Sequence, residues 1–190
     1  MIESKFVTGI IDKYTKNNEE LKRLLITHSR NVAEKALRVA EANGLAASVD
    51  PQFVYDAAML HDIGIVECDA PSIFCHGTLP YICHGVAGGA ILEKEGIGEE
   101  YKRVCQRHTG SGITAEEIEY QHLPLPHRDF LPETLEEKLI CYADKFFSKS
   151  GNPNLEKSRE KVEASMRRHG EKAWERFLEM EKELLVEPEV

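Results

Sequence analysis

The chain has 190 residues, enough for one domain to bury a sizeable core without disulfides or a structural metal. Its 42% hydrophobic and 30% charged residues exclude a disordered chain, and no apolar run approaches the roughly 20 residues of a membrane span. A formal net charge of -9 argues against sequence-independent binding of a nucleic-acid polymer, which needs clustered Lys and Arg, and five scattered cysteines predict free thiols in a reducing, cytoplasmic setting.

Glu3, Lys5, Asp12 and Lys13 interrupt "MIESKFVTGIIDKYTKNN" where a signal peptide needs an unbroken apolar stretch, so residues 1–18 read as an N-terminal helical segment. Between Asn18 and Asn43, the positions Leu21, Leu25, His28, Val32, Ala36 and Val39 recur every three or four residues, predicting a helix stopped at Gly44. "DPQFVYDAAMLHD" opens with Asp50 as cap and Pro51 in the first turn, runs apolar to Leu60, and ends at His61 and Asp62. Gly64 then marks a sharp turn of the chain.

A mixed loop leads into "YICHGVAGGAILEKEG", a helix whose Gly85, Gly88 and Gly89 permit close backbone approach. "EEYKRVCQRHTG" places Tyr101, Val104, Cys105 and His108 on one stripe before Gly110 stops it. The segment from Gly110 to Glu133, proline-rich in its second half, reads as mostly irregular surface chain. "TLEEKLICYADKFFSK" begins with a Thr134-x-x-Glu137 capping box and carries Ile140, Ala143, Asp144 and Phe147 on one face. Residues 151–190 form a charged C-terminal extension, helical from 155 to 185 with an interruption near Gly170. Its stripe Leu155, Val162, Met166, Trp174, Phe177 and Leu184 suits core packing or a homodimer contact. With strand-like alternation nearly absent, the fold class is all-α, a single compact helical domain over 19–150 with that extension packed on it.

His28, His84, His108 and Asp144 fall on or beside the apolar stripes of four helices, and His61 and Asp62 cap a fifth. Any one of them alone reads as a satisfied core residue. Six together read differently, because a buried carboxylate needs a cation and each imidazole needs partners. A shared metal site satisfies all of them, and His with Asp suits Fe, Mn, Co, Ni or Zn. Four His and two Asp are enough for two such ions.

"THSRNVA" with His28, "MLHDIG" with His61 and Asp62, "CHGVAGG" with His84, "RHTG" with His108 and "YADK" with Asp144 resemble, in order, the motifs of the HD superfamily of metal-dependent phosphohydrolases. The pattern is most similar to its two-metal subset, the symmetrical diadenosine tetraphosphate hydrolases, apart from the proline-rich segment after "RHTG". The resemblance implies that His28, His61, Asp62 and Asp144 hold one metal and Asp62, His84 and His108 the other, with Asp62 bridging. It implies that a hydroxide between the metals attacks a phosphoester or phosphoanhydride, with His61 and Asp62 at the catalytic centre. The expected substrate is a small phosphorylated metabolite, nucleotides being the leading class. The rivals are a non-catalytic metal- or nucleotide-binding sensor and a di-iron oxygenase of the same superfamily.

His76 and Tyr81 are candidates for the site entrance or for donating a proton to a leaving group, and Arg107, Thr109, Lys145 and Lys149 for phosphate contacts, since they flank proposed ligands. Cys68, Cys75 and Cys83 match no metal spacing and read as buried thiols. His122 and His127 read as loop surface, with a lid as the alternative, and His169 as a helix end.

Overall fold

A computed structural model describes residues 4–185. The first residues of the expected N-terminal segment and the last of the extension lie outside that range. Helix α1 (Lys5–Tyr14) is followed by the long α2 (Glu19–Ala42), α3 (Pro51–Leu60), α4 (His84–Lys94), α5 (Glu99–Arg107), α6 (Ala115–Tyr120), α7 (Leu135–Asp144), α8 (Arg159–Arg168) and α9 (Glu171–Leu184). The fold is all-α apart from a two-stranded antiparallel ribbon, β1 (Asp69–Ala70) with β2 (Cys75–His76), paired Asp69 to His76. No helix among the described residues is long and apolar enough to cross a membrane.

The starts of the site-bearing helices follow from their caps. Asn18 accepts from Leu21 N at 3.0 Å, with Glu19 and Glu20 in the first turn of α2, and Asp50 accepts from Gln52 N and Phe53 N ahead of Pro51 in α3. Thr134 caps α7 through Glu137 N at 3.2 Å. The expected reciprocal box is only half present there. Glu137 is buried and accepts instead from Arg103 and Arg107 of α5 and from Glu133 N, which clamps α5 to α7.

The reciprocal capping box occurs at Thr114 and Glu117, where it opens α6. Most of residues 110–133 is irregular, as expected, and the short α6 is the exception, because the prolines at 124, 126 and 132 all follow the helix and leave its backbone donors intact.

Gly64 lies inside the short 3₁₀ turn Ile63–Glu67 that leads the chain out of α3, and its φ is not positive. A Cβ there would stand 2.0 Å from His84 O and 2.3 Å from Gly88 N, so glycine is required for the turn and α4 to touch, not for a reversal of the chain. Gly85 plays the same part against α5, where a Cβ would meet Cys105 O at 2.6 Å. These two approaches draw the ends of α3, α4 and α5 together.

The core runs through α2, α3, α4, α5, α7 and α9, with Val32, Leu60, Leu92, Leu139 and Phe177 fully enclosed. Phe177 stacks on Tyr142 at 5.4 Å and Trp174 on Phe177 at 5.7 Å. Of the C-terminal stripe, Val162, Met166, Trp174, Phe177 and Leu184 are therefore core of this chain, and Leu155 is exposed.

Candidate metal centre

His28, His61, Asp62, His84, His108 and Asp144 converge in the middle of the bundle, every one of them buried. His28 comes from the centre of α2, His61 and His108 from the C-terminal ends of α3 and α5, His84 from the first turn of α4, and Asp144 from the last turn of α7. Their possible ligand atoms form two sets, His28 with His61, Asp62 and Asp144, and Asp62 with His84 and His108, each set lying within 4.8 Å.

Asp62 faces both sets, one oxygen to each. Its Oδ2 lies 3.1 Å from His28 Nε2 and 3.0 Å from His61 Nε2, while its Oδ1 lies 3.3 Å from His108 Nε2 and 3.5 Å from His84 Nε2. Asp144 closes the first set, with Oδ1 2.9 Å from His28 Nε2 and 3.5 Å from His61 Nε2.

Three of the imidazoles are locked in the same way. His61 Nδ1 meets Ala58 O at 2.5 Å, His84 Nδ1 meets Tyr81 O at 2.7 Å, and His108 Nδ1 meets Cys105 O at 2.7 Å, each to the carbonyl three residues back. A carbonyl only accepts, so Nδ1 carries the proton and the Nε2 lone pair points into the cluster. His84 and His108 thus bring their Nε2 atoms to 3.0 Å from each other, an approach that two neutral lone pairs tolerate only with a shared cation or proton. His61 Nε2 and both Asp62 oxygens are buried without a directed hydrogen bond, despite the nitrogens close by. Buried acceptors of this kind are costly unless cations take them up; the Lys149 ammonium reaches Asp62 Oδ2, and the remaining donor set fits a divalent transition ion.

Protons compete with a cation for the same atoms. Burial resists charge on His61, yet Asp62 and Asp144 outweigh it and lift the pKa to about 9, whereas burial and the His108 imidazole press His84 down to about 3. Burial also keeps His108 below its ordinary value. Burial pushes the two carboxyls up, but His61 and Lys149 hold Asp62 well below its usual range, and Lys145 and Lys149 do the same for Asp144. Both Asp side chains are held ionised, the state in which they could bind a cation.

A cavity of about 430 Å³ opens beside Asp144, lined by Tyr81, Lys145, Lys149 and Lys157 together with Ile73 and Met166. Lys149 Nζ stands 2.6 Å from Asp62 Oδ2, and Lys145 Nζ lies 2.7 Å from Asp144 Oδ2 while donating to His108 O at 2.9 Å. Tyr81 lies stacked on His84 with ring centroids 4.7 Å apart. Thr109 is 3.5 Å from His84 Nε2 but faces a neighbouring cleft.

Two expected contacts lie elsewhere. His76 is exposed on β2 and lines a separate depression with Lys13 and Asn18, because the ribbon turns its side chain away from the cluster. Arg107 is engaged by Glu133 at 2.7 Å and Glu137 at 3.0 Å and serves the α5 to α7 clamp. His122 is exposed with φ 51°, His127 is exposed beside Glu119, and His169 caps α8 at the cavity rim. All five cysteines are buried and free, with Cys68, Cys75 and Cys83 each directed at a backbone carbonyl rather than at one another.

The carbonyl locks and the cavity lysine Lys157 escaped the sequence reading. The acceptor in each lock is a backbone carbonyl, so no residue type reveals it, and Lys157 falls in a stretch expected to be helical, where a lysine reads as solvated surface, whereas the helix begins only at Arg159.

A helical bundle that buries four His and two Asp at the junction of five helices defines a metal-binding class of domain. The HD domain family profile matches residues 25–149, and the chain belongs to that family. It is 36% identical over 146 residues to a tRNA (cytidine(56)-2'-O)-methyltransferase of Picrophilus torridus, a match covering 77% of this chain and 38% of that protein. A protein of the same name from Thermoplasma volcanium is 33% identical over 65% of this chain and 32% of its own length, and an uncharacterized protein of Methanocaldococcus jannaschii is 40% identical over 61% and 66%. The chain therefore spans about a third of the named relatives it matches. No solved structure matches it.

Proposed function

We propose that the protein is a phosphohydrolase that uses two divalent metal ions on a small phosphorylated metabolite of the nucleotide class. The observation that carries this reading is the division of Asp62, one oxygen to each group of imidazoles. His28, His61, Asp62 and Asp144 would hold one ion, and Asp62, His84 and His108 the other. When bound, such a pair supplies an activated water and neutralises charge on the phosphoryl oxygens.

The chain's own residues would do the rest. Lys149 stands beside Asp62 in the cavity wall, where its ammonium can draw a phosphoryl oxygen toward the ligands. Burial raises the pKa of the Tyr81 phenol, so it keeps its proton and can donate a hydrogen bond to a leaving-group oxygen. Ile73, Val162 and Met166 exclude water from the opposite wall. The cationic cavity also offers an anion a place in an acidic chain.

The methyl transfer named for the two relatives is assigned here to the larger part of those proteins, which lies outside the match to this chain. Their names favour a substrate that arises in nucleotide or RNA chemistry. A cytoplasmic setting is the expected one for such a substrate.

Elemental analysis of protein purified without chelator, joined to a panel of phosphomonoesters and dinucleoside polyphosphates, tests the proposal. The expected result is two transition ions per chain, and for Asp62→Ala less than one ion and turnover reduced at least about 100-fold, the upper end of what losing a ligand's supporting hydrogen bond costs. Metal-dependent turnover retained in Asp62→Ala would remove Asp62 from the bridging role. Full metal with no phosphoester turnover would favour a binding function, and oxygen uptake with substrate an oxygenase.

A further inference from the structure

We propose that the C-terminal extension builds a second anion-binding subsite into the cavity, centred on the Lys157 ammonium, so that the preferred ligand carries a second phosphate besides the one nearest the His/Asp cluster. The inference rests on the phosphohydrolase reading only in naming which phosphate reacts.

Lys157 lies beyond residues 25–149, in the segment between α7 and α8, so it is a feature of this chain rather than of the matched domain. Its backbone N–H donates to Phe146 O at 2.7 Å, which fixes the residue against the end of α7. Its side chain turns inward and lines the same cavity as Lys145 and Lys149.

The three ammonium groups differ in what neutralises them. Lys145 has Asp144 and Lys149 has Asp62. Lys157 Nζ donates only to two backbone carbonyls, Phe147 O at 3.1 Å and Lys145 O at 3.3 Å, and no carboxylate among the described residues forms an ion pair with it. The adjacent Glu156 does not serve, because it is turned to Lys35 and Arg38 of α2, at 2.6 and 3.0 Å. Asp144 favours the charge from a distance, but burial first, then Lys145, Lys149 and Arg168, holds the Lys157 pKa below its ordinary value. A half-buried cation among other cations, without a counter-ion of its own, is what an anion-binding position requires.

The surroundings complete such a position. Ser148, Ser150 and Ser165 lend hydroxyl donors to the same cavity, and Phe147, Val162 and Met166 give an uncharged body a surface to lie on. The cavity therefore has one anionic place at Lys149 beside the metal ligands and another at Lys157. A bisphosphorylated or polyphosphorylated small molecule matches that arrangement, whereas a monophosphate leaves Lys157 without a partner.

Calorimetric titration with methylenebisphosphonate and methylphosphonate tests this on the protein as purified, because neither probe can be hydrolysed. Wild type is expected to prefer the bisphosphonate. Lys157→Gln should weaken bisphosphonate binding about tenfold, as loss of one charge-assisted hydrogen bond does, and leave methylphosphonate within about twofold. Lys157→Arg should keep most of the preference. Lys157→Met, which retains the apolar stem, replaces the Gln variant if the latter melts early. Equal loss for both probes, or none for either, overturns the second subsite. Turnover of phosphoesters without a Lys157-dependent preference would overturn the subsite alone, and the preference without turnover would overturn the activity alone.

Discussion

Gly64 shows how a single missing methyl group holds the cluster together. A Cβ there meets His84 O at 2.0 Å and Gly88 N at 2.3 Å, both backbone atoms that cannot swing aside. Gly64→Ala would push α4 off the turn that follows Asp62 and carry His84 with it. It is expected to destabilise the protein by about 3 kcal/mol, the upper range for overpacking, and to lower metal content at the same time. Gly9→Ala is the matched control. It sits on the exposed face of α1 with nothing within 4 Å of the added carbon, and should stabilise by about 0.5 kcal/mol through helix propensity. Urea midpoints of the two variants should move in opposite directions, and similar shifts would contradict the packing argument. At this scale the six polar residues were legible, because four fall on or beside apolar stripes and His61 and Asp62 end another. What orients them was not, since the proton on each Nδ1 is fixed by a carbonyl that any residue type could supply.

Among the elements, α6 is the instructive case. Thr114 and Glu117 carry the same spacing that marks the start of α7, yet the helix they open is only six residues long, in a segment that is otherwise irregular and proline-rich. Inside the structure the box is reinforced by Arg176 of α9, whose guanidinium lies 2.9 Å from Glu117 Oε2. Burial pushes the Glu117 carboxyl up, but the Thr114 backbone N–H and then Arg176 outweigh it, and its pKa falls below the ordinary 4.5. A folded pKa lower than the unfolded one adds stability that is complete above the ordinary value and disappears as pH falls through the depressed one. Glu117→Gln keeps an acceptor for the Thr114 N–H and loses the charge. Its deficit relative to wild type should be largest at neutral pH and shrink steadily below about pH 4.5, the ordinary carboxylate range. Urea unfolding of both proteins across that range measures it, and a deficit that grows on acidification would refute the pairing. The α7 start was read from an identical motif with a different outcome, because Glu137 found stronger partners in Arg103 and Arg107.

Across the whole molecule, the extension and the cluster meet in one cavity, although the residues that line it come from the middle of the chain and from α8. The charged, amphipathic pattern of 155–185 made the extension legible as helical and its stripe as apolar, but periodicity cannot distinguish a stripe that folds back onto its own chain from one that waits for a partner. Phe177 decides that question here. It is fully enclosed and stacks between Tyr142 of α7 and Trp174. Phe177→Ala should cost about 3–5 kcal/mol, as large aromatic truncations in cores do. Because α9 carries α8 against the cavity while the proposed metal ligands lie on or just after α2, α3, α4, α5 and α7, the loss should fall unevenly on function. If the extension forms the substrate's second wall, KM for a phosphorylated substrate rises by about an order of magnitude, which corresponds to roughly 1.4 kcal/mol of binding, while kcat and metal content hold. Steady-state kinetics below the melting temperature of the variant separates the two parameters. A fall in kcat at constant KM would mean that the extension supports the metal ligands themselves, and the assignment of the cavity wall to α8 would have to be given up.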